Sequence, residues 1–251
     1  MAQHTKISWT DATWNPWHGC QKVSDGCKFC YMYRDKERYG QNPSTVLRSK
    51  STFDDPLHFK LLPGSKIFTC SWSDFFIEEA DEWRPATWEI IRNTPQYIYQ
   101  ILTKRPERIS KCLPANGIPR NVWIGVSVEN RKTVERINRL ALVPDIPVRF
   151  ISFEPLLEDI VSELMPVYLT LVAKYDWFII GGESGNEKGK YTYRPCEIEW
   201  IQRLMEALPG QIFIKQLGTH LAKELNLKDR HGTNPNEWPV DLRGCQNFPI
   251  L

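Results

Sequence analysis

The feature that most constrains this chain is a repeat of pattern rather than of residue identity. Short β-rich runs recur at intervals of about 25–35 residues, the spacing of βα units. The runs cover residues 66–71, 96–103, 121–127, 147–152, 176–180 and 211–215, with 6–9 as a first strand. Between them, residues 82–93, 132–142 and 197–208 carry apolar side chains at helical spacing and stop close to Pro or Gly. Such alternation predicts a parallel sheet, which right-handed crossovers curl into a partial or full barrel. The expected architecture is therefore α/β: a single (βα) barrel over residues 1–218, with a polar, irregular C-terminal extension, 219–251, packed on it.

Composition narrows the function classes only a little. A 251-residue chain with 41% hydrophobic residues is globular rather than disordered or fibrous. No apolar run approaches the ~20 residues of a membrane span, so no membrane partner is expected. The start, Met1-Ala-Gln-His-Thr-Lys6, lacks the hydrophobic stretch of a secretory signal, and the expected location is the cytoplasm. The formal net charge of +2 neither favours nor forbids a nucleic-acid partner.

The strand ends carry the chemistry. The runs finish in Ser71-Trp-Ser-Asp74, Thr103-Lys-Arg-Pro106, Ser127-Val-Glu-Asn130, Ser152-Phe-Glu-Pro155, Gly181-Gly-Glu-Ser184 and Lys215-Gln-Leu-Gly218. A parallel barrel collects all strand C-termini on one face. Asp74, Lys104, Arg105, Glu129, Glu154, Glu183 and Lys215 are thus expected around one mouth. Glu129, Glu154, Glu183 and Lys215 are candidates for acid–base work. Ser71, Asp74, Lys104, Arg105 and Glu183 are candidates for holding a cofactor, and Gly181 and Gly182 for close backbone approach to it. The alternative is that these charges neutralise one another in a buried ion-pair network. Trp72, beside Asp74, is a candidate for stacking on a planar base.

Three of the seven cysteines cluster: Cys20, Cys27 and Cys30 have Cys-x6-Cys-x2-Cys spacing, whereas Cys70, Cys112, Cys196 and Cys245 are scattered and read as core thiols. In a reducing compartment such a triplet points to metal chemistry rather than to disulfides. Three thiolates on one loop hold a metal or an iron–sulfur cluster with one coordination position open. A closed Cys3His zinc site, with His18 or the more remote His4 as fourth ligand, is the competing reading.

With Phe29 directly before the last cysteine, the segment Cys27-Lys-Phe-Cys-Tyr31 resembles the radical S-adenosylmethionine enzymes. That resemblance implies a [4Fe–4S] cluster on Cys20, Cys27 and Cys30, on the loop after the first strand, and a fourth iron that binds S-adenosylmethionine. It further implies an aromatic neighbour near the adenine, for which Phe29 and Tyr31 are candidates, and an external electron donor. Reductive cleavage of the cofactor would yield a 5′-deoxyadenosyl radical. The first cysteine gap is six residues here where that superfamily commonly has three. Gly181-Gly-Glu183 follows about the sixth strand, whereas the superfamily's Gly-Gly-Glu follows the second.

A narrower resemblance spans nearly the whole chain. Thr10-Asp-Ala-Thr-Trp-Asn-Pro16, Ser24-Asp-Gly-Cys-Lys-Phe-Cys-Tyr31, Leu102-Thr-Lys-Arg-Pro106, Trp123-Ile-Gly-Val-Ser-Val-Glu129 and Ser152-Phe-Glu-Pro-Leu-Leu157 resemble the phage Gp37/Gp68 family, as do Gly181-Gly-Glu-Ser-Gly185, Arg194-Pro195 and Lys215-Gln-Leu-Gly218. This is a three-cysteine-motif group of the DUF5131 type. The resemblance implies a phage-associated enzyme in a bacterial host's cytoplasm, acting on an unidentified substrate, with a nucleic acid or nucleotide as the expected class. A partner protein is a further expectation. The zinc alternative implies a nucleic-acid or protein-binding module without radical chemistry.

Overall fold

The computed structural model describes residues 5–249. The chain begins with β1 (Ala12–Trp14) and β2 (Trp17–His18), then runs through the cysteine segment into α1 (Tyr31–Arg38). β3 (Leu47–Arg48) pairs antiparallel with β2 as a small separate ribbon. Regular alternation follows: β4 (Lys66–Thr69), α2 (Arg84–Arg92), β5 (Ile98–Thr103), α3 (Ile109–Cys112), β6 (Val122–Ser127) and α4 (Glu135–Ala141). It continues with β7 (Val148–Phe153), α5 (Val161–Leu164), α6 (Tyr168–Lys174), β8 (Trp177–Gly181), α7 (Ile198–Ala207), β9 (Gln211–Gln216) and α8 (Gly218–Glu224).

Seven strands form one sheet in the order β1-β4-β5-β6-β7-β8-β9, and every pairing in it is parallel. The sheet is a half-barrel rather than a closed barrel. Closure needs β1 to meet β9, and the free edge of β9 is covered by the C-terminal segment instead. The Ile214 amide donates to Cys245 O (2.7 Å), the Asn247 amide donates to Ile212 O (3.0 Å), and Phe213 bridges Gln246 antiparallel. An edge paired in this way has no donors and acceptors left for a further strand.

The expected first strand at 6–9 is also displaced. The Thr10 amide donates back to Ile7 O, which makes a turn there, and the Thr10 hydroxyl donates to Lys66 O (3.0 Å). Pairing with β4 therefore starts only at Ala12, opposite Ile67. Trp9 is used differently, as a buried plug under the sheet.

Side-chain alternation sorts each strand into two faces. Ile67, Ile101, Ile124, Ile151 and Ile180 face the helices, where they pack with Trp88, Ile137, Leu140, Ile201 and Leu204. The opposite face carries Phe68, Trp123, Phe150, Trp177 and Phe213, which close together with Trp9. Trp177 is central to that cluster: the rings of Trp9, Trp123, Phe150, Phe213 and Phe248 all lie 5.5–6.1 Å from it. The same face becomes polar toward the strand C-termini, ending in Ser127, Ser152 and Lys215. Strands buried on both faces read as near-continuous apolar runs, which is why they were visible in the sequence.

Candidate functional site

A cavity of about 510 Å³ occupies the C-terminal end of that second face. Trp9, Phe68 and Leu102 form its floor, and Ser127, Ser152, Glu154, Gly182 and Lys215 line its sheet side. Cys20, Cys27 and Cys30 line the same cavity. The thiols arrive there through local geometry. A short 3-10 turn, Asp25–Cys27, places Cys27, and Cys30 stands at the N-cap of α1. The Met32 and Tyr33 amides, in the first turn of α1, favour the Cys30 thiolate.

The thiols feel opposing influences. Burial pushes the Cys20 thiol up to about 12, with Asp74 adding to the rise and the Arg105 guanidinium, 3.7 Å from its sulfur, opposing it. Burial also raises Cys30, against the Met32 and Tyr33 amides and the Lys104 ammonium. Cation binding must displace such protons, as is usual for thiolate ligands. All seven cysteines are free; Cys70, Cys112 and Cys196 are buried core thiols, while Cys245 is only half-buried.

Every predicted carboxylate of the mouth is held by a cation. Asp74 pairs with Arg105 (3.1 Å) and also accepts from the Thr103 hydroxyl and the Lys104 amide. Glu129 is fully buried between Lys104 (3.3 Å) and Arg136 (2.9 Å), and the Ser24 hydroxyl donates to it. Glu154 pairs with Lys215 (3.0 Å), and the Arg194 guanidinium clasps Glu183. The network anticipated as the alternative is therefore present. Glu154, Glu183 and Lys215 reach the cavity wall, whereas Glu129 stands behind it against the cysteine loop.

Asp74, Lys104, Arg105, Phe29, Tyr31, Ser71 and Trp72 also line the cavity. Phe29 carries the Arg194 guanidinium 5.3 Å from its ring centre, and the Tyr31 hydroxyl donates to Ser71 O. The two glycines permit close packing within the chain. A Cβ on Gly181 would stand 2.7 Å from Glu154 Oε1, and one on Gly182 would stand 2.1 Å from Leu217 O. The close approach they permit is to the chain itself, although Gly182 still borders the cavity.

Several wall residues had been given no role from the sequence: Ser152, Ser184 and Gln216, within the strand-end motifs, and His231. His231 comes from the C-terminal segment, and its Nδ1 is 2.9 Å from the Thr219 hydroxyl. Arg136 was missed as well. Its signal was a cation at the start of the helix that follows a strand-end glutamate, seven residues after Glu129.

The donor set suits a metal group by its chemistry, with three free thiols on the wall and Lys104 and Arg105 among the cations that share it. Among the described residues, no three His, Cys, Asp or Glu side chains are gathered into an arrangement that holds a single ion. His18 is not part of the cavity wall; its Nδ1 lies 2.6 Å from the buried Lys36 ammonium, and burial followed by Lys36 lowers its pKa. His4 lies outside the described residues. Among the described residues, no helix is long and apolar enough to cross a membrane.

Fold and site together define a parallel α/β half-barrel with a cysteine-lined cavity at its strand C-termini. A family model described as "Protein of unknown function (DUF5131)" matches residues 4–242, and the chain belongs to that family. No curated protein and no solved structure matches it.

Proposed function

We propose that the chain is a radical S-adenosylmethionine enzyme of the phage Gp37/Gp68 type. Cys20, Cys27 and Cys30 would hold a [4Fe–4S] cluster with one iron left open to the cofactor. The observation that carries this reading is the presence of three thiols on the wall of one cavity at the strand C-termini, with His18 not among the residues that line it. An open site needs three protein ligands, and the engagement of His18 by Lys36 favours it over a Cys3His zinc site. When bound, the cluster and S-adenosylmethionine supply, on reduction by an external donor, a 5′-deoxyadenosyl radical and methionine.

The chain's own residues would bind, orient and shield. Phe29, which lines the cavity with the Arg194 guanidinium 5.3 Å from its ring centre, would offer an aromatic contact to a planar base. The Glu154–Lys215 pair presents both a carboxylate and an ammonium to the cavity, matching the charges of an amino-acid group or serving acid–base work on a substrate. The apolar floor of Trp9, Phe68 and Leu102 excludes water from the inner end. A cavity of about 510 Å³ is of the size that takes a small-molecule ligand and does not admit a folded duplex.

The test is product analysis. Anaerobically reconstituted protein is mixed with S-adenosylmethionine and dithionite, and 5′-deoxyadenosine is quantified by mass spectrometry. The reading expects release from the native chain and none from Cys27→Ala. Equal traces from both chains would refute it.

A further inference from the structure

Besides lining the cavity, the cysteine loop rests on two strand ends. After β4, the buried Asp74 accepts from Thr103 and from the Lys104 amide and so fixes the turn that follows β5. Arg105, paired with Asp74, reaches from that turn to the loop: its Nη2 donates to Gln21 O (2.8 Å) and its Nη1 lies beside Cys20 Sγ. After β6, the buried Glu129 accepts from Ser24 Oγ (2.9 Å), and its carboxylate fills the space where a Cβ on Gly26 would stand, 2.5 Å from Oε1. Next to it, Asn130 Nδ2 donates to Asp25 Oδ2 (2.9 Å). Lys104, paired with Glu129, interacts electrostatically with Cys27 and Cys30.

We propose that Asp74–Arg105 and Glu129–Lys104 are two positioning pairs for the cysteine loop, which hold its backbone in shape and keep a cation beside its thiols. Neither pair needs to touch a substrate. Glu129, in the row of expected acid–base residues, becomes a positioning residue instead. Groups that orient metal ligands from behind are a general requirement of metal sites. Thiolates that gather around a cluster concentrate negative charge, and cations at their backs offset it. The charge-balancing half of this inference rests on the cluster reading; the backbone-holding half does not.

Two mild variants separate the halves. Arg105→Lys keeps a charge opposite Asp74 but loses the fork to Gln21, and Lys104→Met leaves Glu129 paired with Arg136 and Ser24. Amide hydrogen exchange over residues 20–30, in protein without added iron, is expected to quicken about tenfold in Arg105→Lys while β5 and β6 stay unchanged. Exchange equal to the native rate would overturn the holding role. After anaerobic reconstitution, Lys104→Met is expected to shift the cluster's reduction potential to more negative values, because removing a cation disfavours the added electron. An unmoved potential would overturn the charge-balancing role. A native chain that takes up no iron sinks the cluster reading and the charge-balancing role with it, while the exchange comparison still decides the holding role.

Discussion

The two ends of the sheet's second face differ in kind. At the floor, Trp9, Phe68, Trp123, Phe150, Trp177 and Phe213 interlock with almost no polar group among them. At the mouth, a few residues along the same strands, four carboxylates stand paired with cations around free thiols. The floor gains its stability from buried aromatic surface. At the mouth, side chains are held in place by charge pairing, and buried pairs contribute little net stability while fixing geometry. A half-barrel with a rigid apolar base can carry an ionic mouth that adds little to folding.

That contrast is open to direct attack. Trp177→Ala removes the centre of the floor cluster and is expected to lower unfolding stability by about 3–5 kcal/mol in a urea titration. A loss under about 1 kcal/mol would mean the floor is not the stabilising end. Next in size is Glu129→Gln, which leaves Lys104 and Arg136 facing a neutral amide in a buried place; about 2–3 kcal/mol is expected by the same titration. Glu154→Gln, at a partly open pair, should cost under about 1 kcal/mol and act on ligand affinity, measured by calorimetry with S-adenosylmethionine.

The smallest expected effect is on pH dependence. Burial holds the Cys20 and Cys196 thiols at about 12, against 9.0 for the free group. The unfolded chain releases these protons first, so the metal-free protein should lose stability as pH rises from 9 toward 12. Cys20→Ser should reduce that slope at the mouth, and Cys196→Ser should reduce it in the core. Thermal melts between pH 8 and about 9, below the range in which the unfolded chain's tyrosines ionise, check this; identical slopes in all three chains would contradict the assigned burial.

The floor was far more legible in the sequence than the mouth. β4 to β9 matched the apolar runs to within two residues at each end, because a strand buried on both faces announces itself by composition alone. Residues 6–9 had the same look, yet Thr10 turns the chain before pairing begins. The open edge was not legible either, since the cover of β9 comes from Cys245 and Asn247, whose polar neighbourhood carries no strand signal. At the mouth, residue types and positions were readable, because each follows a strand. Their partners were not, because pairs such as Glu183 with Arg194 or Glu154 with Lys215 depend on how loops fold back. Nor did the sequence show how closely Glu154 and Leu217 pack against Gly181 and Gly182.

The central claim is that the mouth is a cluster site, and its most direct measurement is metal and sulfide content. The chain is purified without oxygen, reconstituted with iron and sulfide, desalted, and analysed together with its optical spectrum. The account predicts about four irons and four sulfides per native chain with an iron–sulfur absorption band, and a loss of both in Cys27→Ala. One zinc per chain with no iron chromophore would contradict it.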